Sequence, residues 1–437
     1  MIRTRASRPR SLEPGGLSRR RAWLVVFVIG WTFTIATGLG FYALSLYLNI
    51  LTSSRGFALT TVSYSISAFF LVSAVVNVPL GRLVRRVEPR WIMLGGSAVA
   101  GLALLLLGRV DAVWQLYLVF TVFGCGFSAS SYLPGTAVIV ALFEHDRARA
   151  LAVGLTGGSV GGVVVAPLLA RILDARGLTA TAPWLGLAYL ILAGAPVVVS
   201  IRGRLAAPLA ADDEAATPAD GGVSYAQADR GVSYAQAVRS AAFALVTVCF
   251  AVLMADQVGA QVQIVSIGSA MGVRDAGIAV SIMASATIAG RLIGAFALGR
   301  LPVVGFSALM GVLQGASFAA LALLPGLSGL AAGTVLFGIT IGNLTVLIPL
   351  VVVELFGLAD YPRIYALSQF GASVGTAGGP AVLAALHSGF GSYRLPLLIL
   401  AGVSALAAVG VTRLRPPVPA LIPALAPQPS GPELEAE

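Results

Sequence analysis

Two ionisable side chains stand inside long apolar runs: Arg291, in Ala289-Gly290-Arg291-Leu292-Ile293-Gly294, and Asp256, in Leu253-Met254-Ala255-Asp256-Gln257. A charge held in such surroundings is costly, so each is a candidate for function. The Arg291 guanidinium is permanently charged and forked to grip a carboxylate, which suits an anchor for an anionic substrate. Its competing reading is a structural ion pair, or a side chain that snorkels outward from about 10 Å inside its helix. Asp256 could carry a coupling proton, its competing reading being a hydrogen-bonded cap or an Arg partner. Gln257, Gln261 and Gln263 follow it in the same run, while Tyr42, Tyr47, Tyr64 and Gln369 are further polar groups able to line a cavity. Tyrosines at the ends of apolar runs also belong to the ordinary interfacial belt.

The other chemistries lack raw material. All 28 basic residues are Arg, so no lysine Schiff base or lysine-anchored ligand is available. His145 and His387 fall at helix ends without a second ligand at metal spacing, and both are expected to be solvated. Cys125 and Cys249 lie in apolar runs and read as small core residues. Gly38-Leu39-Gly40 and the cluster Gly154, Gly157, Gly158, Gly161 and Gly162 sit in apolar helices with no lysine or strand beside them. They read as helix-packing surfaces, with Gly158-x-x-x-Gly162 a small-xxx-small pair. No metal, cofactor or nucleophile is therefore expected, and an intramembrane enzyme or sensor is only a distant alternative.

Those residues need a membrane scaffold. At 57% of 437 residues, roughly 250 apolar side chains must leave water, enough for about twelve spans of roughly 20 residues each. Charged residues make up 11%, far below the roughly 25% of soluble domains, which excludes a water-soluble enzyme. The apolar runs do not alternate in polarity, so helices rather than a β-barrel are expected. The expected class is all-α, polytopic, with twelve transmembrane helices. They run from Trp23 to about Leu48 and then over 60–80, 91–108, 113–142, 150–172, 183–201, 241–266, 276–298, 302–323, 327–353, 364–387 and 395–412. The net charge of +10 reflects loop arginines and calls for no nucleic-acid partner. With the N-terminus inside, 21 Arg fall on the inner side, and only Arg55, Arg109, Arg171, Arg176, Arg274 and Arg394 outside. That bias puts both termini in the cytoplasm.

The chain divides into a basic N-terminal segment, 1–22, and a first six-helix half, 23–201. A central loop follows at 202–240, then a second half at 241–412 and a Pro-rich tail at 413–437. Ser18-Arg19-Arg20-Arg21 superficially resembles a twin-arginine signal, but the run after it is too long and lacks a convincing cleavage site, so it reads as span one. The central loop holds a tandem duplication, Gly222-Val-Ser-Tyr-Ala-Gln-Ala-Asp-Arg230 and Gly231-Val-Ser-Tyr-Ala-Gln-Ala-Val-Arg239, which reads as a duplication in a tolerant linker.

Two six-span halves around a polar loop resemble the major facilitator superfamily. Gly81, Arg82, Leu83, Val84, Arg85 and Arg86 resemble its inner-loop gating motif, with Arg85 where the family has an acid. Gly294 to Arg300 resembles the second copy of that motif. Arg149-Ala150-Leu151-Ala152-Val153-Gly154 is similar to the entry of helix five in monocarboxylate and oxalate/formate transporters. Glu354-Leu355-Phe356-Gly357, Gly379-Pro380 and Gly391-Ser392-Tyr393-Arg394 are similar to that group's signature around helix eleven. The resemblance implies alternating access and a helix-eight arginine, here Arg291, on the substrate carboxylate; Tyr42, Gln257 and Gln369, polar groups within the spans, are the further candidate substrate contacts. The chain departs from the group in two ways. The helix-eleven lysine of oxalate exchangers is absent, which argues against a dicarboxylate. The aspartate one turn before the arginine in proton-coupled carriers is Thr287, and the helix-one lysine is unfilled, which leaves Asp256 as the substitute for proton coupling.

The expected protein is a monomeric secondary transporter of a prokaryotic plasma membrane, moving a small organic anion, a monocarboxylate first, with protons or a counter-transported anion. Efflux of a larger apolar or cationic compound is the alternative.

Overall fold

The computed structural model describes residues 19–84, 86–143, 147–200, 232–298, 300–357 and 360–414. The expectations for the rest of the N-terminal segment, the first copy of the duplication, the Pro-rich tail beyond Leu414, Arg85 and His145 lie outside these residues.

Every long element is helical. The helices are α1 Arg19–Ser53, α2 Leu59–Leu83, α3 Pro89–Leu107, α4 Val113–Ser130, α5 Tyr132–Leu142 and α6 Val153–Ser200. After the central loop come α7 Tyr234–Arg239, α8 Ala241–Ala270, α9 Ile278–Leu298, α10 Val303–Leu323, α11 Gly326–Phe356, α12 Tyr361–Phe390 and α13 Arg394–Thr412. Ten helices among the described residues are long and apolar enough to cross a bilayer. One of them, α6, has 48 residues, about 72 Å of helix against roughly 30 Å of hydrocarbon. It turns back at Gly177, whose φ of +71° lies where other residues are strained. It therefore supplies two spans, and α12, whose 30 residues are diluted by Gly, Ser and Thr, completes the twelve-helix arrangement.

Span four is not one helix as the apolar run implied. It breaks at Ser131, whose ψ of −124° separates α4 from α5. The ring of Pro134 removes a helical donor just beyond, and Ser131 Oγ donates instead to the Phe127 carbonyl at 2.6 Å.

With twelve crossings, both chain ends lie at one face, here termed proximal. The opposite, distal face carries the α1–α2, α6 and α8–α9 turns. At the distal end one apolar cluster joins both halves, with Leu48, Leu51 and Phe69 of the first and Val265, Ile267 and Phe337 of the second in common contact. The halves meet there through α1 on α8, α2 on α12 and α6 on α9. Towards the proximal face, by contrast, each half keeps its own core. One cluster contains Ile29, Phe33, Ile139 and Phe143 from the first half alone, another Phe243, Phe306, Val351 and Phe356 from the second alone.

The central loop is more than a linker. Its second repeat forms α7, capped by Ser233 and Gln236, with Ala237 fully buried in the second-half core. Tyr234 N donates to Asp360 at 2.8 Å and Val232 N to the Phe356 carbonyl at 2.9 Å.

Candidate functional site

Arg291 stands on α9, seven residues before its end at Leu298. Glycines of α11 fix where it points. A Cβ on Gly342 would lie 3.0 Å from Arg291 N and 3.1 Å from its Cγ, so α11 passes flush against this turn and the side chain runs towards the first half. There Nη1 donates to the Leu155 carbonyl at 3.4 Å, a long and weak bond. Arg291 Nε is buried without any partner, and no carboxylate forms an ion pair with Arg291 among the described residues. The structural ion-pair reading of Arg291 thus finds no support.

Hydroxyl groups converge on this guanidinium. Tyr42 of α1 lies near Ser159 and Thr287 and within range of the Arg291 charge, as does Tyr132 of α5. Ser159 Oγ is buried, and Thr287 donates its own hydroxyl to the Met283 carbonyl at 2.8 Å. The wide helical turn Thr37–Tyr42 carries Tyr42 in, and a second, Gly161–Val165 of α6, packs against it. Such π turns re-aim one side chain at the cost of a regular ladder and recur at functional sites. The Leu39 carbonyl released in the first turn accepts from Tyr47 at 2.9 Å. Tyr47 is therefore structural, and Tyr64 lies exposed on α2.

Two glycines read from sequence as helix packing also make room for these rings. A methyl on Gly162 would meet Ala284 Cβ of α9 at 2.5 Å and the Tyr42 ring at 2.9 Å, and one on Gly158 would meet the Tyr132 hydroxyl. Gly157, by contrast, does pack on the backbone of Gly30 as expected. The result is a group of hydroxyls near one positive charge that has no ion-pair partner among the described residues, a chemistry that suits a small anion.

The α8 residues divide by face. Val265 and Ser269 line a distal cleft of about 320 Å³ together with Leu46, Asn49 and Ile50 of α1. Four-residue steps back along that face reach Gln261 and Gln257, both buried with an unpartnered Oε1. Gln263 is committed elsewhere: it donates to the Pro380 carbonyl and accepts from Tyr393, each at 3.1 Å. Asp256 turns away from the first half and accepts from Ser404 of α13 at 2.8 Å. Gln369 lies exposed on α12 beside the 64% exposed Phe370, and no hydrogen bond among the described residues ties its side chain to Arg291. It stands outside the buried group, a correction to its sequence assignment. His387 is likewise not simply solvated, since its ring lies 4.1 Å from that of Tyr393.

Of the inner-loop motif, Gly81 and Leu83 are exposed and Arg86 N donates to the Leu83 carbonyl at 2.9 Å; the Arg82 side chain lies outside the described residues. In the signature around helix eleven, Gly357 and Gly391 end α11 and α12 with φ of +74° and +67°. Those two glycines are helix stops and need no substrate to explain them.

A family profile described as Major Facilitator Superfamily matches residues 23–301. The chain belongs to this superfamily. Among solved superfamily-like structures, a mutant form of the nucleoside transporter NupG superposes with a TM-score of 0.72 at 13% identity, covering 90% of this chain and 99% of that one. A bacterial homologue of the human lysosomal transporter Spinster, inward-facing and unoccupied, gives 0.59 at 14% identity, covering 91% and 95%. At such identity these likenesses show the fold alone. High affinity nitrate transporter 2.7 of Arabidopsis thaliana is 29% identical over 168 residues, 36% of this chain. The match spans 32% of that relative's length. As a superfamily member the chain is a multi-pass membrane transporter.

Proposed function

We propose that this superfamily member is a secondary transporter of a small monoanion, a monocarboxylate first, that works by alternating access with Arg291 as the anchor. The observation that carries the reading is the Arg291 guanidinium, held by no carboxylate among the described residues and with its Nε buried and unpartnered, near the Tyr42 and Tyr132 hydroxyls. A buried donor without a partner is costly, and an oxyanion would satisfy it. The site lies between the halves, so a rocking motion exposes it to each face in turn. The arginine bias makes the proximal face cytoplasmic, with both termini there in a prokaryotic plasma membrane. The split cores on that side then correspond to an inward-facing state, with the exposed Gly81 and Leu83 at its gate.

The unpartnered oxygens of Gln257 and Gln261 favour a substrate that also brings a donor, such as a hydroxy acid. Nitrate, the second reading, is favoured by the Arabidopsis relative's name and by the same guanidinium fork, but it has no hydrogen to offer those amides. Efflux of apolar or cationic compounds under control of Asp256 is not favoured, because Asp256 points to Ser404 and not to the central space.

The test is uptake into proteoliposomes, with formate, acetate, lactate, pyruvate and nitrate offered in turn. The expected result is saturable carboxylate uptake; nitrate uptake alone would support the second reading. No flux of any of these anions by folded protein would refute both.

A further inference from the structure

The proximal turn between α11 and α12 holds a short peptide, the second copy of the tandem repeat. Val232 N donates to the Phe356 carbonyl at 2.9 Å, and Tyr234 N to the Asp360 carboxylate at 2.8 Å. Val232 is 7% exposed and Ala237 fully buried, both within the second-half core that contains Phe243, Leu355 and Ile364. Gln236 Oε1 accepts from Ser233 N at 3.3 Å and from Ser233 Oγ at 3.0 Å, which closes the first turn of α7. A helix of six residues is not stable by itself, so the contacts with this surface hold it folded.

Every residue type that makes those contacts occurs twice. Val223, Ser224, Tyr225, Gln227 and Ala228 of the first copy match Val232, Ser233, Tyr234, Gln236 and Ala237 in identity and spacing. The two copies differ at one position, where Asp229 of the first stands for Val238 of the second. Val238 is partly buried against the same apolar core and lies in the last turn of α7. A carboxylate there would lose solvation and face the negative end of the helix dipole, so the surface prefers the second copy. The chain has the length to offer it either one. With the first copy in place, residues 201–222 would still join it to α6, a reach of about 70 Å when extended. Residues 231–240 would then close a loop between Arg230 and Ala241, and the entropy of closing a loop rises only slowly with its length.

We propose that the α11–α12 turn is a docking surface for the nine-residue repeat and that both copies are its ligands, the second in this structure and the first in exchange. The central loop thereby has two registers, nine residues apart. They differ in how α8 is held. With the second copy docked, Ser240 ends α7 and caps α8 at once: its hydroxyl donates to the Ala237 carbonyl at 2.6 Å and accepts from Phe243 N at 3.1 Å. The docked peptide then fixes the start of α8 directly. With the first copy docked, the loop 231–240 intervenes and that brace is lost, while the apolar surface stays covered. Because α8 carries Gln257 and Gln261, the register sets how firmly the helix behind those buried amides is anchored at its proximal end.

Limited trypsin digestion of the purified full chain reads the register, because a docked segment is cut only when it opens. In the wild type the bond after Arg230 should be cut at least about tenfold faster than the bond after Arg239. Ala237→Asp expels the second copy, and the preference should reverse, with Arg230 the slower site. Adding Ala228→Asp should leave both bonds fast. If Ala237→Asp exposes Arg239 and leaves Arg230 as fast as in the wild type, the first copy is no ligand and the proposal fails. Protection of Arg230 that grows with protein concentration would assign the surface to a second chain and equally overturn the exchange. A deletion keeps the test open if Ala237→Asp does not fold. Removing residues 231–239 joins Arg230 to Ser240 and offers the surface the first copy alone. This shortened chain should melt within a few degrees of the wild type, and Ala228→Asp within it should lower the melting temperature further. A shortened chain indifferent to Ala228→Asp would overturn the proposal.

Discussion

Arg291 and Asp256 occupy consecutive membrane helices of one half, carry opposite charges, and yet do not meet. Arg291 looks across to the first half into a group of hydroxyl donors, with no acid beside it. Asp256 looks back into its own half, onto the Ser404 hydroxyl, with no cation beside it. The difference shows two ways of holding an intramembrane charge. One is left at the moving interface for a ligand that arrives and departs; the other is held inside a body that moves as a unit. Had the two paired, each would have quenched the other and Arg291 would not demand a partner from solution.

The comparison breaks most sharply at Arg291. Replacing it by Ala should lower the initial uptake rate at subsaturating anion at least about thirtyfold, the lower end for loss of a desolvated charge contact. Arg291→Lys keeps the charge but not the fork, and should recover part of the rate at a raised KM. If Asp256→Asn gave the same total loss of exchange as Arg291→Ala, the division of roles would fail.

Next in size are the glycines that seat the tyrosines. Gly162→Ala pushes a methyl against both Ala284 of α9 and the Tyr42 ring, and overpacking of this kind costs about 1–3 kcal/mol. It should appear mainly as weaker anion binding, read by titration of protein fluorescence or by KM. Gly158→Ala should behave similarly and be relieved by Tyr132→Phe, which removes the hydroxyl the new methyl meets. Failure of that rescue would detach Tyr132 from the site.

A smaller effect belongs to Gln257. Its buried, unpartnered oxygen costs about 1–3 kcal/mol in the empty protein. Gln257→Met should therefore raise the melting temperature by a few degrees while raising KM for a hydroxy acid more than for formate. The smallest change is expected from Ser404→Ala, which removes the one hydrogen bond to Asp256 among the described residues: near-normal anion exchange, with a slightly lowered melting temperature.

Much of this arrangement is legible in the sequence because the bilayer imposes strong rules. Runs of apolar residues give the spans, the arginine bias gives their direction, and an isolated Arg291 or Asp256 stands out against them. What escapes is whatever depends on rotation about a helix axis. Whether Asp256 faces α1 or α13 turns on a few tens of degrees, and the wide turn ending at Tyr42 resets that angle without leaving a mark in composition. Gly158 and Gly162 match the small-residue spacing of packed helices, and Gly162 does meet Ala284 of α9, but the space they leave also admits rings from α5 and α1. Tyr132 escapes notice because it lies within an apolar run whose break at Ser131 is hidden in the sequence. Gln369 was drawn into the site by its polarity alone, although it sits next to an outward-facing Phe370. The docked helix α7 lies in a polar segment, where hydrophobic periodicity carries no signal.

The central claim is that an anion is held by Arg291 between the halves. The most direct test is equilibrium binding of a radiolabelled monocarboxylate to purified wild type and Arg291→Ala, both shown to be folded by their melting curves. The account predicts one saturable site per chain in the wild type and its loss in the variant. Undiminished binding to Arg291→Ala would contradict it.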